Sequence, residues 1–282
     1  MKRGLVLEGG AMRGMFTAGI MDVMMENDIA PDGVVGVSAG ACFGCNYKSR
    51  QPGRAIRYNM RFAKDSRYSG LWSWLKTGNV FNAEFAFHIV PTTYDIFDMD
   101  AYNANPMEFH VVCTDVNTGE AVYRRLDVMN YEGLEWIRAS ASLPLVSRIV
   151  EVGGYQLLDG GLTDSVPLPY FQQLGYDRNI VVLTRPRDYV KPPMKHARLL
   201  RWLLRKHPAV AEAMLHRHEV YMQQVAYAHS EAEAGRALVL QPDADLGIPH
   251  VCHDAHLMRR VYDTGRALAE RRLTEILDFL KK

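Results

Sequence analysis

Short apolar runs alternate with stretches of helical period along this chain. Gly4-Leu5-Val6-Leu7 is an apolar run too short for a buried helix and suited to a strand covered on both faces. The loop Glu8-Gly9-Gly10-Ala11-Met12-Arg13-Gly14 follows, and then Phe16, Ile20, Val23 and Met24 recur at helical spacing. Val34, Val35 and Val37 make a second, β-branched run, with Ala39, Ala41 and Phe43 opening a helix behind it. Residues 109–114 read as a strand that pairs with Ala121-Val122-Tyr123 across the turn Asn117-Thr118-Gly119. Further on come a helix from Tyr131 to about Ala141, a strand over 155–158, a helix over 167–174 and a strand over 179–183. Residues 191–233 are mostly helical in pattern, 237–240 form a last strand, and 253–280 a closing helix. This alternation predicts an α/β fold on a mostly parallel sheet. Residues 68–94 show no clean period, and their Trp72, Trp74, Phe81, Phe85 and Phe87 are expected to be ordinary core.

Length and charge narrow the picture. At 282 residues with a net charge of +1, the chain suits a single globular domain over 1–282 and carries no nucleic-acid footprint. No apolar run approaches the roughly 18 residues that span a bilayer, and Glu8 comes too early for a signal peptide, so a cytoplasmic protein is expected. Four cysteines are too few for a disulfide framework at this length.

Candidate chemistry centres on Ser38. Gly36-Val37-Ser38-Ala39-Gly40 fits Gly-x-Ser-x-Gly, in which a strand turns sharply into a helix and exposes a strained serine hydroxyl. The loop at Gly9 and Gly10 aims free N–H groups at whatever sits before the next helix, which suits an anion. A nucleotide phosphate would need glycine at Ala11 or a Lys-Ser/Thr ending, and both are missing; the oxyanion of an acyl transfer fits better beside a nucleophilic serine. Arg13, a cation in a first helical turn, opposes the helix dipole; it is either a surface arginine paired elsewhere, or it braces the loop or faces an anionic substrate. Serine needs a base, and Asp159, followed by Gly160 and Gly161 at a strand end, is the best placed. A histidine base from His250, His253 or His256 is the alternative. Cys42 and Cys45, with His250, Cys252, His253 and His256, raise a metal or redox reading, but zinc would normally ask for a second close ligand pair, and the two cysteines suit helix packing better.

Taken together, these motifs resemble the patatin-like phospholipase family. The resemblance rests on Gly9-Gly10-Ala11-Met12-Arg13-Gly14, Gly36-Val37-Ser38-Ala39-Gly40 and Asp159-Gly160-Gly161 in that order, with Arg138-Ala139-Ser140-Ala141-Ser142-Leu143-Pro144 similar to the helix end before the family's aspartate. It spans residues 4–185; residues 186–282 carry no family pattern and read as largely helical. It implies a three-layer α/β/α fold and hydrolysis of lipid acyl esters by a Ser-Asp dyad, without histidine, metal or other cofactor. Ser38 would be the nucleophile, Asp159 its base, and Gly9, Gly10 and Ala11 the oxyanion loop, with Arg13, Gly14, Gly36, Gly40, Gly160 and Gly161 as supporting motif positions. Ala11 stands where the family has a third glycine, and alanine can serve there only if that residue keeps a negative φ. A catalytically silent lipid-binding protein on the same fold is the further alternative.

Residues 191–207, beginning at Lys191 and ending at His207, carry six Lys or Arg and no acid. A helix after Pro193 would set Arg198, Arg201 and Arg205 on one face, with Leu199, Leu200, Trp202, Leu203 and Leu204 around the rest. Such a helix is either a surface helix packed by its leucines or a peripheral contact with an anionic membrane.

Overall fold

The computed structural model describes residues 1–281. Its sheet has eight strands: β1 (Lys2–Leu7), β2 (Gly33–Val37), β3 (Glu108–Asp115), β4 (Ala121–Arg125), β5 (Val150–Val152), β6 (Tyr155–Asp159), β7 (Tyr176–Val182) and β8 (Ala237–Leu240). They lie in the order β5-β6-β3-β2-β1-β7-β8, with β4 also on β3. The run from β3 to β8 is parallel; β4 and β6 pair antiparallel with β3, and β5 pairs antiparallel with β6.

Strand alternation divides the core between two faces. Leu5, Leu7, Val34, Phe109, Val111 and Val182 face one way, under α1 (Gly14–Glu26), α2 (Ala39–Lys48), α3 (Arg54–Phe62), α5 (Met99–Ala104), α6 (Tyr131–Ser140) and α10 (Ala255–Arg271). Val6, Val35, Val37, Val112 and Val181 face the other way, under α7 (Leu168–Gln173) and α9 (Pro208–Glu233). Helices on both faces make this the expected three-layer α/β/α arrangement, and they explain why the strands read as continuous apolar runs. The hairpin forms as expected, with Val112 opposite Tyr123.

The pairings of β3 position the site. β4 occupies one edge of β3 from His110 to Thr114, so β2 and β6 share the other edge end to end. β2 arrives parallel and stops at Val37 opposite Val112; β6 arrives antiparallel and stops at Asp159 opposite Cys113. The residues that follow Val37 and close β6 therefore meet.

Three expectations are corrected. Of the aromatics in residues 68–94, two are not core: α4 (Leu71–Thr77) holds Trp72 67% exposed, and Trp74 is exposed too. Phe85 is buried at the start of a wide-turn π-helix (Phe85–Tyr94), whereas Phe81 and Phe87 line a cavity. The closing helix breaks into α10 and α11 (Leu273–Lys281) at Arg272, whose guanidinium donates to the Val239 carbonyl of β8 at 2.7 Å. The basic helix, α8 (Ala197–Leu203), is one short piece; Arg205 lies beyond its end, Arg201 pairs with Glu212 at 2.7 Å, and only Leu200 and Leu204 of the leucines are buried. Among the described residues no helix is long and apolar enough to cross a membrane.

Candidate active site

Ser38 closes β2 and caps α2 with φ 55° and ψ −119°. A side chain in that region is strained by roughly 1–3 kcal/mol, and its surroundings must hold it there. Two features do so. Gly36 and Gly40 touch through their backbones, since a Cβ on Gly36 would sit 2.5 Å from the Gly40 carbonyl, a contact only glycine permits. On the other side, the Ser38 amide donates to Ser140 Oγ at 2.9 Å, and Ser140 Oγ donates to the Val112 carbonyl at 2.6 Å.

The Ser38 hydroxyl donates to Asp159 Oδ2 at 2.6 Å. The other carboxylate oxygen accepts the Gly161 amide at 2.7 Å, and the Asp159 amide donates to the Ser142 carbonyl at 2.8 Å. Asp159 is 1% exposed. Burial pushes its carboxyl above the usual aspartate value, against the opposing pull of the Ser38 hydroxyl, the Arg217 guanidinium and the Gly161 amide. A carboxylate held this way is a better proton acceptor than an aspartate in water.

The glycine loop lies beside the serine: a methyl on Gly9 would stand 3.0 Å from the Ser38 Cβ. Gly10 backs onto Thr184, Gly14 lets α1 start against Ala39 and Phe43, and Gly160 presses on the Val112 carbonyl. Among the described residues the amides of Gly10 and Ala11 make no backbone hydrogen bond, which leaves them free for an anion. Ala11 does not meet the condition of a negative φ, since its φ is +47°, yet its N–H still has no backbone acceptor among the described residues. Arg13 is no surface residue: it is 9% exposed, its Nε has no partner among the described residues, and its charge acts on Glu8. Glu8 is buried as well, taking hydrogen bonds from the Thr184 amide and from Tyr221 Oη, the latter at 2.9 Å.

The three histidines stand apart from the serine's proton. His253 Nδ1 lies 2.6 Å from the Ala63 carbonyl, the His256 amide donates to Asp254, and His250 reaches the cavity wall without a hydrogen bond to Ser38. Cys42 and Cys45 lie one turn apart on α2, and burial pushes the Cys45 thiol up to about 12. Among the described residues no three His, Cys, Asp or Glu side chains gather in a metal-binding group.

A cavity of about 310 Å³ opens at Ser38, its wall largely apolar, with Met12, Phe43, Tyr58, Phe81, Phe87 and Leu143 among its lining. Residues 5–171, more than half of the chain, match the family model described as patatin-like phospholipase. The chain belongs to the patatin-like phospholipase family. Residues 207–281 match a second family, described as a domain of unknown function (DUF6363). This patatin-like chain is similar to "Uncharacterized protein YjjU" of Escherichia coli strain K12, 29% identical over 216 residues that cover 71% of this chain and 56% of that one. It is also similar to "Lysophospholipase nte1" of Aspergillus terreus, 28% identical over 181 residues that cover 62% of this chain and 11% of the relative. The chain thus spans about half the length of the first relative and a small part of the second. The solved structure of VipD from Legionella pneumophila aligns with 96% of this chain and 67% of its own, at 12% identity and a TM-score of 0.44.

Sequence reasoning missed Ser140, Glu8, Arg217 and Tyr221 as parts of this patatin-like site. Ser140 had a signal, since it lies in the block before Asp159 that resembles the family. Arg217 and Tyr221 had none, being two polar positions in a long helix of mixed character.

Proposed function

We propose that the protein is a serine acyl hydrolase of lipase or phospholipase A type, cleaving acyl esters of lipids through Ser38 and Asp159. The 2.6 Å hydrogen bond from the strained Ser38 hydroxyl to a buried carboxylate carries this reading. Asp159 takes the hydroxyl proton as Ser38 Oγ attacks the ester carbonyl, and the carbonyl oxygen gains the negative charge. The amides of the Gly9 to Ala11 loop stabilise that oxyanion, each donor contributing on the order of 10²-fold or more in rate. Collapse of the intermediate expels the alcohol, which leaves with the proton from Asp159, and Ser38 keeps the acyl group. Water then enters, gives a proton to Asp159, and releases the fatty acid as Ser38 recovers its hydrogen. The apolar cavity supports an acyl chain as the bound group, each buried methylene favouring binding by about 0.8 kcal/mol.

Contact with an anionic bilayer surface belongs to the same proposal. Trp202 at 60% exposure, with Leu199 and Leu203 also exposed beside Arg198, supports an interfacial role for α8. Lipid mass profiling of cells carrying the wild type and Ser38→Ala tests the reading: the variant should accumulate an acylated lipid that the wild type consumes. Identical profiles, with no ester cleaved by purified wild-type protein, would leave a silent binding protein instead.

A further inference from the structure

Arg217 stands on α9, in the stretch that matches a family without an assigned role. It reaches back to the turn behind the catalytic acid, where its Nε donates to the Gly161 carbonyl. The amide of the same glycine holds Asp159 Oδ1 at 2.7 Å. A Cβ on Gly161 would lie 3.0 Å from Asp159 Oδ1 and 3.2 Å from Arg217 Nη2. Carboxylate and guanidinium therefore face each other across the space the missing side chain leaves, no more than about 6 Å apart and short of a direct ion pair.

Among the described residues the other titratable groups around Asp159 are uncharged: the Ser38 hydroxyl before α2, the Cys42 thiol on α2 and the Cys113 thiol on β3, with burial holding both thiols protonated. Lys191 and His250 lie in the field of Arg217 rather than of Asp159. Burial favours the protonated acid, yet a general base must be ionised, so one facing cation has a specific task.

We propose that Arg217 is the positioning residue of the catalytic acid: from α9 it fixes the Gly160–Leu162 turn and supplies the positive charge that keeps buried Asp159 ionised, which makes the 207–281 stretch a working half of the active site. This rests on the Ser38–Asp159 reading given above. Arg217 is not part of the lining of the cavity at Ser38 and acts through Asp159 alone.

The test is kcat/KM against pH on a soluble short-chain nitrophenyl ester, for the full chain and its Ser38→Ala, Arg217→Gln, Arg217→Met and Arg217→Lys variants, each checked by its melting transition. Loss of the charge should move the acid limb upward by about one pH unit or more, the low end of what an opposite charge at this range does, with activity recovering above the new limb. Lysine should leave the limb in place and lower the plateau, because the Gly161 carbonyl loses its fixed partner. A glutamine or methionine variant that lowers the rate by one factor at every pH, or leaves the profile unchanged, overturns the proposal. Should both neutral variants fail to fold, lysine decides: a lowered plateau with an unmoved limb supports it, and a wild-type profile or a shifted limb overturns it. Ser38→Ala separates the two levels. If it is inactive and the limb does not move in the neutral variants, only the role of Arg217 falls; if it stays active, the dyad and the role of Arg217 fall together.

Discussion

Ser140 holds Ser38 in place from 102 residues away, its hydroxyl accepting the Ser38 amide at 2.9 Å while donating to the Val112 carbonyl at 2.6 Å. Ser140→Ala strips a partner from the buried Val112 carbonyl and the part-buried Ser38 amide and should cost about 1–3 kcal/mol of stability. Because the strained elbow loses its clamp, kcat should fall while KM for a soluble ester stays near the wild-type value. Equal urea midpoints for the two proteins would show that the clamp does not matter.

Ser38→Ala and Asp159→Asn should each abolish ester hydrolysis, with the double variant little worse than either single one, since a nucleophile and its base act as a unit. Alanine at His253 or His256 should leave kcat intact, and alanine at His250 should act on KM more than on kcat. A loss of roughly 10³-fold in kcat from any one of the three, the scale of a missing triad member, would replace the dyad with a triad.

Ala11→Gly should stabilise the protein. An L side chain in the left-handed region costs roughly 1–2 kcal/mol, and glycine's greater freedom in the unfolded chain offsets part of the relief, so the net gain is up to about 1 kcal/mol. Ester hydrolysis should persist, because in the proposed mechanism the loop acts through backbone amides. Thermal melting is the measurement, and a lower melting temperature for the glycine variant contradicts the left-handed assignment.

Asp22 is a buried carboxylate outside the site, accepting from Tyr262 Oη at 2.6 Å and from the Gly53 amide at 2.9 Å. Burial outweighs these bonds and Arg266, and with Glu26 nearby it pushes the group up to about 6 from 3.8. Its folded value lies above its unfolded one, so its favourable contribution is complete below about pH 4 and is lost as pH rises through about 6. Asp22→Asn mimics the protonated form. Relative to wild type the variant should therefore gain up to about 3 kcal/mol between pH 4 and pH 7, read from urea unfolding at both values. A constant difference across that range would place Asp22 in water.

Vesicles containing anionic lipid should bind the wild type, with affinity falling as salt is added. Changing Arg198, Arg201 and Arg205 to glutamine should weaken that binding while soluble esters are still cleaved. Trp202→Ala should weaken it too, since this side chain is exposed on α8. Unchanged binding by both variants would return α8 to the role of an ordinary surface helix.

What the sequence by itself determined was local. A β-branched run before Gly36, a Gly-x-Ser-x-Gly turn and an Asp-Gly-Gly strand end are decided by neighbours a few residues apart, so most elements and Ser38 were legible from them, and the order of the motifs, through the family they resemble, pointed to Asp159 as the partner of Ser38. The tertiary structure decided which surfaces meet. β6 runs antiparallel into the end of β2 along one edge of β3, and only that pairing brings Asp159 to Ser38 and Ser140 beneath both. The same rule accounts for the errors. An apolar pattern says that a face will be covered without saying by what, so Phe81 and Phe87 became cavity wall and Trp72 stayed exposed. A polar pattern says still less. Arg217 looked like one more charge on a long helix until the helix was laid across the Gly161 turn.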